Sequence, residues 1–160
     1  MTDQRHSGGV TLVEMLVVLG VIMVLAGIVV SLTQRVDSQA KENAVRNACA
    51  VVGSSLREYY DFKGQFPPQP ERNPANALAH SEAMIQELRA VPASRRVLEK
   101  LDPAFVKGES GTADLRSLRD PWGTVMDYIC TPENTFPELI SAGPDRQFGT
   151  GDDISSKGRR

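Results

Sequence analysis

Two stretches of this chain carry residues whose types and spacing could do chemistry. The first is Gly8-Gly9-Val10-Thr11-Leu12-Val13-Glu14, followed by an apolar run from Met15 to Val30. A carboxylate in a hydrocarbon-buried helix costs about 2.5–3.5 kcal/mol at the centre and less near an end. Glu14 therefore calls for a partner. A cut between Gly9 and Val10 would create one, because the freed amine of Val10 lies about one helical turn from Glu14. In a packed bundle the glutamate of one copy could meet the amine of another. The second stretch is Ser141-Ala142-Gly143-Pro144-Asp145-Arg146-Gln147-Phe148-Gly149-Thr150-Gly151-Asp152-Asp153-Ile154. Its three aspartates lie in a glycine-rich loop. Hard cations such as calcium take about six to eight oxygens from carboxylates and backbone carbonyls, and glycines let the backbone curl until carbonyls point inward. Asp145 could supply one side of such a cage, and Asp152 or Asp153 the other. The register is not that of an EF-hand.

Other chemistry is not visible. The two histidines are His6 and His80, and neither neighbours a nucleophile or a metal set in the sequence. Glu133 and Glu138 read as isolated carboxylates, without the pairing that acid–base catalysis needs. There is no phosphate loop or nucleotide fingerprint. A net charge of −2 implies no basic face for nucleic acid. Catalysis is not expected.

The elements that position these residues can be read from periodicity. No proline occurs from Val10 to Lys63. Residues 10–33 form a stretch long enough to span about 30 Å of hydrocarbon, and Arg35 and Asp37 mark its exit. Gly20 and Gly27 within it either permit close helix approach or are incidental. Beyond the span, Val36, Ala40, Ala44, Ala48, Val52 and Leu56 recur every four residues, with Val45, Cys49 and Tyr59 beside them, which predicts one apolar helical face. A helix from Val10 to about Asp61 would be on the order of 75 Å long. Gly64, Pro67 and Pro68 stop it. Residues 68–77 read as loop, Ser81–Ala90 and Arg95–Leu101 as short helices, and 107–118 as undefined. Asp120-Pro121-Trp122-Gly123 is a turn. Val125–Cys130 and Phe136–Ser141 pattern as the strands of a hairpin, and Trp122 reads as core. Cys49 and Cys130 could form a disulfide or stay as two small buried thiols.

The Gly9–Glu14 motif in register with its apolar run resembles the leader of type IV pilins and type II secretion pseudopilins. Gly9 matches the residue before the cut, Val10 stands where phenylalanine or methionine is usual, and Glu14 matches the family's glutamate. The Asp-Pro-Trp-Gly turn resembles that of the major-pseudopilin head. The C-terminal loop resembles that head's calcium loop, with Asp145 at the first acidic position and Asp153 at the last before Ile154. It departs by being shorter and by having Asp152 and Asp153 adjacent. The resemblance implies an α+β, type IV pilin-like fold, a long N-terminal helix packed on a small antiparallel sheet. It implies a leader at 1–9, a transmembrane half of the helix at 10–33, an extramembrane half at 34–62, and a head at 63–160. The head divides into a variable region (68–119) and a strand and acidic-loop region (120–154). Processing at Gly9 and Val10, assembly through Glu14, and calcium at Asp145, Asp152 and Asp153 follow.

The expected partners are a prepilin peptidase that cuts and N-methylates, other copies of the chain, minor pseudopilins, the secretion platform and secretin, and the inner membrane. The expected place is the inner membrane, crossed once, with a periplasmic head. The expected role is a structural subunit of a secretion pseudopilus. The rival readings are a type IV pilus subunit serving adhesion, motility or DNA uptake, and a membrane-anchored calcium-binding domain that never polymerises.

Overall fold

The computed structural model describes residues 11–69, 71–105, 117–132 and 135–158, without the side chains of 29–35. Helix α1 covers Leu12–Lys63. Thr11 begins it as an N-cap: its hydroxyl accepts the Glu14 N–H at 3.2 Å and its carbonyl the Met15 N–H at 3.2 Å. Gly64 ends it at φ +71°, donating its N–H to the Tyr60 carbonyl at 2.7 Å. A left-handed residue is needed there to cap the last turn, and glycine adopts it without a Cβ penalty. Glu14 in the first turn and Lys63 in the last suit the helix dipole.

The chain divides into two compact units, Met1–Ala40 and Lys41–Arg160. In the first, the described apolar side chains of α1 are all exposed, from 48% at Val18 to 81% at Leu12. Among the described residues no helix is long and apolar enough to cross a membrane. The expected span, 10–33, extends past the described side chains at both ends.

The second unit holds a core built on one face of α1. Val45, Ala48, Cys49, Val52, Leu56 and Tyr59 are buried as the four-residue period predicts, whereas Val36 and Ala40 are exposed and belong to the first unit. Helix α2 (Ala77–Ala90) supplies Met84, Ile85 and Leu88, and α3 (Pro92–Leu98) supplies Leu98. Both start earlier than their apolar periods suggest. A 3-10 turn at Pro74–Asn76, capped by the Asn73 side chain, leads directly into α2, and Pro92 at the first turn of α3 presets its helical φ. The sheet has three strands in the order β1 (Asp127–Ile129), β2 (Glu138–Ser141), β3 (Ile154–Ser155), all antiparallel. The expected hairpin is present with shorter strands, Tyr128 opposite Leu139. Val125 makes only an isolated bridge to Arg119. The third strand was not expected, because two residues carry no alternation to read.

Both cysteines are free, Cys49 buried on α1 and Cys130 half-buried after β1. Burial pushes the Cys49 thiol up to about 11, against a smaller opposing pull from Arg46. Trp122 is half-buried against the core. The architecture is the expected α+β one.

Candidate functional site

The Asp-Pro-Trp-Gly turn is organised by its aspartate. Asp120 is buried, and its Oδ1 accepts the N–H groups of Trp122 at 3.1 Å and Thr124 at 2.8 Å. Gly123 closes the turn at φ +90°. The other carboxylate oxygen accepts the Ser141 hydroxyl at 2.7 Å, and Ser141 Oγ in turn accepts the Gly143 N–H at 3.2 Å. One buried carboxylate thus ties the first turn of the sheet region to the start of the acidic loop. The sequence signal for Asp120 was its place at the head of the turn; Ser141 was read only as the end of a strand and the start of the acidic loop, not as a partner of Asp120.

The acidic loop is closed by its own side chains. Asp145 Oδ1 accepts the Gln147 N–H at 2.8 Å, and Asp153 Oδ2 accepts the Gly149 N–H at 2.8 Å. Asp152 Oδ2 accepts the Asp145 N–H at 3.1 Å while its Oδ1 accepts the Thr150 hydroxyl at 2.5 Å. These bonds, the Thr150 one first, hold the Asp152 carboxyl below the usual carboxylate range. Gly143 sits at φ +65° against the backbone of Asp152, where a Cβ would meet the Asp152 carbonyl. Glu138, read as an isolated carboxylate, is buried and accepts the Ser155 hydroxyl at 2.6 Å.

Asp145 and Asp152 are therefore brought together, whereas Asp153 turns to Gly149. Among the described residues no group of three or more His, Cys, Asp or Glu side chains is placed to hold a metal ion. Backbone N–H groups and the Thr150 hydroxyl engage the carboxylates, so the loop has closing contacts of its own besides any cation. One observation still fits a cation. Asp153 Oδ1 is buried and has no hydrogen-bond partner, and a buried carboxylate oxygen left alone is costly.

At the other end of the chain, Glu14 lies exposed in the first turn of α1, held by the Thr11 cap. Gly9 and Val10 lie outside the described residues. The sequence reading missed a buried pair. His80 on α2 places Nδ1 2.8 Å from Asp127 Oδ1 on β1 and 3.2 Å from Gln69 Nε2. Burial raises the Asp127 pKa, and the histidine opposes that shift. His80 Nε2 is buried without a partner. Among the described residues no nucleophile meets the ring, and the pair's visible work is to join α2 to the sheet.

Residues 4–30 match the prokaryotic N-terminal methylation motif. Along 98% of its length the chain is also 27% identical to the type II secretion system core protein G of Escherichia coli strain K12, covering 94% of that protein. The chain is thus similar to the pilin-like proteins at its N-terminus and to a type II secretion pseudopilin along its length. No solved structure matches it. The motif coincides with the Gly9–Glu14 register and its apolar run, and the similarity extends through the head and the acidic loop. That similarity implies a membrane-anchored subunit.

Proposed function

We propose that this chain is made as a precursor, cut after Gly9 and N-methylated at Val10 by a prepilin peptidase, and assembled into a pseudopilus that serves protein export. The observation that carries the reading is the methylation motif in register with Glu14 at the start of α1. Apart from Glu14, the described side chains of the first part of α1, up to Ile28, are apolar and exposed, and a helix of that kind needs apolar surroundings. We assign those surroundings to the inner membrane before assembly and to sister helices after it. The head is then periplasmic. The work of the protein is assembly, and force and gating come from the platform and secretin. The Escherichia coli relative, by its name a secretion component, favours export over a type IV pilus.

Calcium belongs to this reading as a proposal. Asp145, Asp152 and Asp153 would hold it, and the orphaned Asp153 oxygen supports it. When bound, the cation would neutralise carboxylates at both ends of the loop.

The test is made on the full chain in a host with an active prepilin peptidase. Mass spectrometry should find the mature terminus at a methylated Val10, and chemical crosslinking should give a ladder of multimers. Glu14→Ala should insert in the membrane as well as the parent, since a costly charge is gone, and should lose the ladder. An intact Met1 terminus, or an undiminished ladder in Glu14→Ala, would defeat the reading.

A further inference from the structure

A groove of about 610 Å³ runs between α1 and the sheet within the Lys41–Arg160 unit. Its floor includes Leu56, Phe136 and Leu139, and its rim carries three cations, Arg46, Arg57 and Lys157. The Arg57 guanidinium lies 5.5 Å from the centre of the Phe136 ring, so the aromatic floor and the charged rim meet. Gly53 lines the helical wall. After proline, glycine is the poorest helix former, and it needs a reason in the middle of a helix. The packing of the described residues supplies none. A Cβ at Gly53 would meet only Phe136 Cε1, at an ordinary 4.0 Å, and its backbone is helical. The glycine keeps the groove wide for something outside this chain's own described packing.

The occupant can be read from the same unit. Phe62 is 69% exposed, the most exposed large apolar side chain described there. Glu58, one helical turn before it, and Asp61 beside it are exposed acids, outnumbering the one exposed cation beside it, Lys63. Apolar anchor and acidic flank complement an apolar floor with a cationic rim. Phe62 lies nine residues beyond Gly53 on one helix, and at 3.6 residues per turn that puts it about 180° round the axis. A copy therefore cannot seat Phe62 in its own groove.

We infer that Phe62, flanked by Glu58 and Asp61, docks in the Gly53 groove of a second copy. The two surfaces differ, so each copy offers a free groove and a free anchor after the contact forms. Such a head-to-tail contact continues into a chain of subunits rather than closing as a dimer. The inference rests on the reading of this protein as a filament subunit and names head surfaces that meet, in addition to any contact made by the apolar helices.

The experiment uses the full chain in its own membrane, with the photo-crosslinking analogue p-benzoylphenylalanine in place of Phe62. Light should produce an adduct between two copies that maps by mass spectrometry to 46–57, 136–139 or 155–158. Gly53→Leu, which fills the groove, should cut the adduct at least fivefold while the head melts no lower than the parent. Gly53→Ala, which adds one methyl, should cut it less and covers the case in which leucine disturbs the fold. An adduct on another surface, on lipid or on a different protein, or one undiminished in both variants, overturns the inference. If multimers persist in that case, the filament reading survives and only this contact is lost. If no multimers form at all, both fail.

Discussion

Replacing Gly143 with alanine tests how the acidic loop is held. Gly143 sits at φ +65°, and its hypothetical Cβ would run into the Asp152 carbonyl, with the Asp152 carboxylate 3.1 Å away. Two costs add. A left-handed alanine costs about 1–2 kcal/mol. Overpacking against a backbone atom that cannot rotate aside costs about 1–3 kcal/mol more. Gly149 supplies the control, since it sits at φ +89° with nothing within 4 Å of its Cβ. Gly149→Ala should then lose only the first amount, and Gly143→Ala about 2–5 kcal/mol. For a unit of about 120 residues the conversion is about 4 °C per kcal/mol. Melting of the full chain in detergent, followed by near-ultraviolet circular dichroism, should fall by about 4–8 °C for Gly149→Ala and about 8–20 °C for Gly143→Ala. Equal losses in the two variants would refute the claim that the loop closes on the backbone of Asp152.

Three further outcomes are expected. Millimolar calcium should raise the melting temperature over chelator, by up to about 2.7 kcal/mol of stabilisation at a hundredfold excess over Kd, and Asp145→Ala or Asp153→Ala should remove the difference; identical curves in the parent would reject the site. Burial, with a further push from the Glu87 carboxylate that accepts its hydroxyl at 2.7 Å, lifts Tyr59 to about 12, and burial also raises Tyr128. Because the folded values lie above the unfolded value near 10, this stability is fully present below about pH 10 and lost as pH rises through about 12. Urea midpoints should therefore hold to about pH 9.5 and then fall, and Tyr59→Phe should flatten the fall. Ser55 and Ser94 donate to each other's carbonyls at 2.9 Å in a fully buried clasp between α1 and α3. Ser55→Ala should cost about 1–3 kcal/mol in a urea melt, because the bonded carbonyl and hydroxyl of Ser94 stay buried with a partner removed.

The sequence by itself determined what is local or periodic. A proline-free run with a Gly64 stop specified α1 to within two residues at each end, and the structure adds the Thr11 cap that sets its start. The four-residue apolar period named Val45, Val52 and Leu56 as core, since one helical face repeats at that spacing. The methylation motif at 4–30 was legible because a linear motif requires no fold. The tertiary structure decided what depends on residues distant in the chain. His80 and Asp127 meet across 47 positions, Ser55 and Ser94 across 39, and Ser141 and Asp120 across 21. No periodicity encodes such pairs; they exist because burial leaves each polar group only the partner that the packing brings to it. The acidic loop shows the same division. Its composition announced three carboxylates, but only the fold decided that backbone N–H groups engage all three residues, leaving a single oxygen of Asp153 buried and alone.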